Sequence, residues 1–165
     1  MKVKIQLEDQ NTLEFRKAKR LETIPICQLV QQTIQTIYPK YYPKEITTFF
    51  SNMHSEKRIY QDISEENLWV LIDGTDLLGT CTYIENVVMR LFVKPEFQCR
   101  GYGKLILDCV EKNILQKHDQ VILEAVVSAA RMYEKRGYKT LNHEKLVISE
   151  SAILTYEVMQ LNKTK

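Results

Sequence analysis

Hydrophobic and polar positions follow two different periods along the chain. Val3, Ile5 and Leu7 alternate with polar residues, EDQN interrupts, and Leu13 and Phe15 resume the alternation. That pattern predicts a strand, a turn and a second strand, with residues 1–11 forming an extra N-terminal strand. From Leu21 to Tyr38 the apolar positions Ile24, Cys27, Leu29, Val30, Ile34 and Ile37 share one helical face, with Pro25 in the first turn. A second helix is expected from Pro43 to Met53, after the aromatic loop YPKYYPKE. His54 to Glu66 is polar and reads as an irregular surface loop carrying Tyr60 and Asp62. Leu68–Ile72 and Leu77–Glu85 flank Asp73-Gly74, a pair suited to a tight hairpin turn.

Val87 to Val93 is a further strand, ended by Pro95. The helix after Arg100 buries one stripe: Tyr102, Leu105, Ile106, Cys109, Val110 and Ile114. VILEAVV, 121–127, is almost wholly apolar, as in a strand covered on both faces. Ser128 is placed to cap a short helix ending at Gly137, with Lys135 and Arg136 in its last turn. Strands from Tyr138 and over 153–161 complete the chain. The order is mixed α and β, not a regular βαβ repeat.

At 165 residues the chain suits a single domain with its own core. A net charge of +2 gives no dense cationic surface, and no nucleic-acid partner is expected. No apolar run is long enough for a signal peptide or membrane span, so the expectation is a cytoplasmic protein with no membrane partner. Cys27, Cys81, Cys99 and Cys109 form no C-x-x-C pair and the three histidines lie far from them, so no metal site is expected.

The chemistry concentrates in FVKPEFQCRGYGKLILDCVEKNI, 92–114, a strand feeding a glycine turn and then a helix. A P-loop fails because Leu105 follows Gly103-Lys104 where a hydroxyl residue is required. The dinucleotide fingerprint G-x-G-x-x-G fails at Ile106. The pattern Gln/Arg-x-x-Gly-x-Gly/Ala is met by Gln98, Gly101 and Gly103. Glycine there removes Cβ atoms that would keep a pyrophosphate from the backbone, and N–H groups of the first helical turn point at the anion.

The segment 89–114, with SAARMYEKRGYK at 128–139, resembles the GNAT superfamily of N-acetyltransferases. The resemblance implies an α+β fold in α/β/α layers: a mixed, mostly antiparallel central sheet with helices on both faces. It implies acetyl-CoA as co-substrate, without a metal, and direct transfer of acetyl to a primary amine of a small molecule or peptide. Leu91, Phe92 and Val93 would offer backbone groups to the pantetheine arm. Gln98, Cys99, Arg100, Gly101, Tyr102, Gly103 and Lys104 would hold the pyrophosphate. Tyr133 matches the family tyrosine that protonates the departing thiolate. The family's asparagine before it is replaced by Val126, with Ser128 as a substitute contact. For the general base, Glu85 is the first candidate, two residues before Val87 and on its strand face; Glu124 and an ordered water are others. An alternative reading is a CoA-binding module with little or no turnover. The acceptor and the oligomeric state, homodimer included, stay open.

Overall fold

In the strand Leu68–Asp73 the residues point alternately into two separate cores. Leu68 and Val70 pack with one set of helices, Trp69 and Leu71 with another. A sheet buried on both faces follows, with helices on each side. The computed structural model of the protein describes residues 2–6 and 12–163, with backbone only for Lys2, Lys4, Gln6, Val127 and Ser128. Leu7 and the intervening turn lie outside the described residues.

The described strands are β1 (Lys2–Gln6), β2 (Thr12–Lys17), β3 (Leu68–Asp73), β4 (Asp76–Ile84), β5 (Val87–Val93), β6 (Gln120–Val126), β7 (Lys139–Ser149) and β8 (Ala152–Asn162). They form one sheet in the order β1-β2-β3-β4-β5-β6-β8-β7. Every neighbouring pair is antiparallel except β5 and β6. One face carries α1 (Thr23–Ile37), α2 (Lys44–Met53) and α3 (Glu56–Ser64); the other carries α4 (Tyr102–Leu115) and α5 (Val127–Lys135). No described helix is long and apolar enough to cross a membrane.

Two expectations are corrected here. The polar stretch after His54 is not an irregular loop: α3 occupies it, and its inner face is Ile59, Asp62 and Ile63. Asp62 is 0% exposed, because Arg90 and Arg58 reach it and replace the water it loses. The second correction concerns α5, which starts at Val127 with Val126 as its N-cap, so Ser128 stands inside the first turn and does not cap it.

β5 contains a bulge. Thr82 of β4 faces Arg90 while Tyr83 faces Val88, which leaves Met89 without a partner in β4. The extra residue changes the parity of the strand. Val88, Leu91 and Val93 therefore all turn toward the α4–α5 core, and Phe92 turns toward α1–α3.

α4 packs closely on this sheet through Ile106, Leu107, Val110 and Ile114, each fully or almost fully buried. At about 1.5–3 kcal/mol for each large apolar side chain, this stripe is a main anchor of the glycine turn that precedes it. Gly79 of β4 permits the approach: a Cβ there would lie 2.7 Å from Ile106 Cδ1 and 2.8 Å from the Phe92 carbonyl oxygen.

Candidate active site

β5 and β6 pair at only two positions, Val87 with Ile122 and Val88 with Leu123. Beyond Leu123 and Val88 the strands diverge, and a cleft of about 660 Å³ opens between them. Leu91, Phe92 and Val93 line it from β5, and Glu124, Ala125 and Val126 from β6. The edge of β5 turned toward β6 is thus released from the ladder after its second rung. An amide-bearing chain can pair with such an edge as an added strand.

The glycine turn closes one end of this cleft. The Gln98 side-chain amide donates to the Val93 carbonyl oxygen at 2.9 Å, tying the turn to the end of β5. Cys99 and Gly101 both adopt left-handed backbone, at φ 60° and 86°. Gly101 is the N-cap of α4, and a Cβ on it would meet nothing within 4 Å. Glycine here satisfies the backbone and leaves open space beside the helix end. The Leu105 N–H bonds back to the Gly101 carbonyl at 3.0 Å, and the N–H groups before it have no intrahelical acceptor. These groups and the helix dipole favour an anion. Gln98, Cys99, Gly101, Tyr102, Gly103 and Lys104 line the cleft. Arg100 does not; it is exposed, with its guanidinium 5.6 Å from the centre of the Phe97 ring.

Tyr133 enters from α5. The helix ends in a left-handed Gly137: its N–H bonds to the Glu134 carbonyl at 2.9 Å, and the Tyr138 N–H bonds to the Tyr133 carbonyl at 3.1 Å. This fixes the Tyr133 backbone, and the Tyr138 ring meets the Tyr133 ring edge-on at 5.5 Å. Burial pushes the Tyr133 phenol well above its ordinary range, with Cys81 and Tyr38 adding to the effect. Tyr38, on the cleft wall next to α1, is pushed up to about 12, also by burial. Both phenols are neutral at pH 7 and can donate.

The carboxylates are distributed differently from the sequence expectation. Glu85 sits in the β4–β5 turn at φ 53°, exposed. It lines a separate groove with Lys17, Trp69 and Tyr83, beside the paired end of β5, away from the cleft. The two-residue parity with Val87 does not carry through a left-handed turn residue. Glu124 does line the cleft and is the one carboxylate among its described lining residues. The Ser128 side chain lies outside the described atoms; Val126 and Ala129 line the cleft with apolar side chains.

The other side of the cleft is formed by α1, α2 and the sheet, with Phe49, Phe50, Phe92 and Tyr156 among its lining residues. His54 and Arg90 also line it, and the sequence reading assigned neither a role. His54 is pushed down to about 3, by burial first and then by Arg90 and Arg58, so it is a neutral imidazole at pH 7. Its ring lies edge-on to Phe92 at 5.2 Å. No local signal marks Arg90, because its partner Asp62 lies 28 residues earlier, in a helix the polar pattern concealed. No cluster of His, Cys, Asp or Glu among the described residues could hold a metal ion.

Residues 37–149 match the family model described as the acetyltransferase (GNAT) domain. YafP of Escherichia coli (strain K12), described as an uncharacterised N-acetyltransferase, is 21% identical over 137 residues, covering 82% of this chain and 87% of YafP. Among solved structures, a GCN5-related N-acetyltransferase from Rhodopseudomonas palustris superposes with a TM-score of 0.81 at 16% identity, over 90% of this chain and 94% of its own. The PaiA N-acetyltransferase of Thermoplasma acidophilum, solved with coenzyme A, gives 0.72 at 19% identity, over 92% and 99%. The family match spans more than half of the chain and contains the splayed strands, the glycine turn and Tyr133; the protein belongs to the GNAT family and is an acyl-CoA N-acyltransferase of that type.

Proposed function

We propose that the protein transfers an acetyl group from acetyl-CoA directly to a primary amine of a small molecule or peptide. The observation that carries this reading is the cleft between β5 and β6, which has a free strand edge along it, an anion-ready helix end at one side and a buried neutral phenol on its wall. In this reading the strand edge of Leu91–Val93 pairs with the amide-bearing arm of the donor. Gly101, Gly103 and the first turn of α4 hold the pyrophosphate, with Lys104 at the rim. The amine nitrogen attacks the thioester carbonyl carbon, and collapse of the tetrahedral adduct breaks the C–S bond. Tyr133 gives its phenolic proton to the leaving sulfur and is reprotonated from solvent. Glu124, directly or through water, takes the proton that the amine loses.

Calorimetry with acetyl-CoA, followed by a free-thiol assay across a panel of amines, tests this. Micromolar acetyl-CoA binding with amine-dependent thiol release is the expected result. Binding without release from any amine would favour a CoA-binding module, and absence of binding would remove the reading altogether.

A further inference from the structure

The Arg90 side chain is held in the cleft wall with more hydrogen-bonding capacity than the protein uses. Arg90 is 8% exposed, and its guanidinium reaches Asp62 Oδ2 through Nη2. Its Nε and Nη1 are buried and meet no acceptor among the described residues. Asp62 is shared with a second guanidinium, Arg58, whose Nε lies 3.2 Å from Oδ1. Arg90 and Arg58 against Asp62 leave one positive charge in excess, with Glu65 as the next carboxylate acting on Asp62. Asp62 Oδ1 is itself without a hydrogen bond, and His54 adds no charge but presents a further buried, unpartnered polar atom, Nδ1. Thr82, opposite Arg90 in the β4–β5 ladder, adds another in Oγ1.

A buried donor without an acceptor destabilises the protein, and more so when it is charged. Arg90 and His54 both line the cleft, so a small turn of the guanidinium would bring these donors to an anion held there. A carboxylate supplies both the missing acceptor and the missing charge. The walls around it are aromatic, and Glu124, also in the cleft, suits the amine end of the same molecule.

We propose that Arg90, supported by His54, receives a carboxylate of the acceptor, so that the acceptor class is an amine that also carries a carboxylate, as in an amino acid. This rests on the acetyltransferase reading above. Asp62 acts as a positioning residue that fixes the guanidinium.

The test uses matched acceptors: amino acids against their primary amides, and ω-amino acids against alkylamines of equal length. Thiol release with acetyl-CoA gives kcat/KM for each, and calorimetry gives the acetyl-CoA affinity independently. The carboxylates should exceed their neutral partners by at least about 10-fold, the discrimination expected when an unpaired buried group is left behind. The double variant Arg90→Met/Asp62→Asn, which removes both charges and so avoids stranding Asp62, should bring the ratio to about 1 with acetyl-CoA affinity retained. Arg90→Lys, a milder change for folding, should lower the ratio without abolishing it. Equal or better use of the neutral amines by the wild type overturns the proposal, as does a preference that survives the double variant. So does a protein that binds acetyl-CoA yet releases thiol with none of the carboxylate-bearing amines. Failure to bind acetyl-CoA is a separate result, which removes the function this proposal stands on.

Discussion

Glu111 of α4 and Arg136 at the end of α5 form a two-point ion pair, with Nε donating to Oε1 and Nη2 to Oε2, each at 2.6 Å. The Tyr138 hydroxyl donates to the same Oε1 at 2.9 Å. The pair fastens the helix that follows the glycine turn to the helix that carries Tyr133. Replacing Glu111 by Ala leaves the buried Tyr138 phenol without its acceptor and the Arg136 guanidinium with Asp108 as its remaining partner. We expect a stability loss of about 2–4 kcal/mol in urea unfolding, with kcat falling more than acetyl-CoA affinity. An unchanged unfolding midpoint would show that the pair does not stabilise the fold.

Gly101 separates backbone strain from ligand space. Gly101→Ala introduces a side chain at φ 86°, at a stability cost of about 1 kcal/mol, although a Cβ has room in the protein itself. Gly101→Glu adds bulk and negative charge next to the helix end and should abolish acetyl-CoA binding by calorimetry. Retained binding in Gly101→Glu would move the pyrophosphate elsewhere.

Tyr133→Phe keeps the ring against Tyr138 and removes the proton. Turnover should drop by about 100-fold, and the acetyl-CoA dissociation constant should stay within about twofold. Wild-type turnover in this variant would exclude the phenol as the acid.

His54 sets a sign for acid stability. Its ordinary value is 6.5 and the folded protein lowers it to about 3. Between these values the unfolded chain binds a proton that the native state does not, so stability rises with pH through this window and is flat in this group above it. At pH 4.5 the histidine should cost the native state about 2 kcal/mol relative to pH 7. Urea unfolding of wild type and His54→Gln at both pH values reads this as a difference, because the carboxylates contribute equally to both proteins. Identical pH slopes would mean that the imidazole is not held neutral.

The parts legible in the sequence were those written in local patterns. The α4 stripe and the Gln98–Gly103 turn each lie within one short window. α3 was missed because its inner face offers only Ile59 and Ile63 as apolar residues, its third position being an aspartate whose arginines come from elsewhere. Arg90 carries no local signal for the same reason, since its partner Asp62 lies 28 residues earlier. Glu85 was assigned by alternation, which stops where the backbone turns left-handed. The reach of β5 over two faces could not be counted from sequence either, since the unpaired Met89 resets the alternation midway.

The two-rung joint between β5 and β6 makes the sheet a splice of two smaller ones, β1–β5 and β6–β8-β7. Few backbone bonds hold the halves together at the place where the donor is expected to lie. A molecule that pairs with the free edge then does more than occupy a site: it supplies rungs the polypeptide omits and becomes part of the architecture. Its binding energy adds to folding energy, and the joint between the halves stiffens with occupancy.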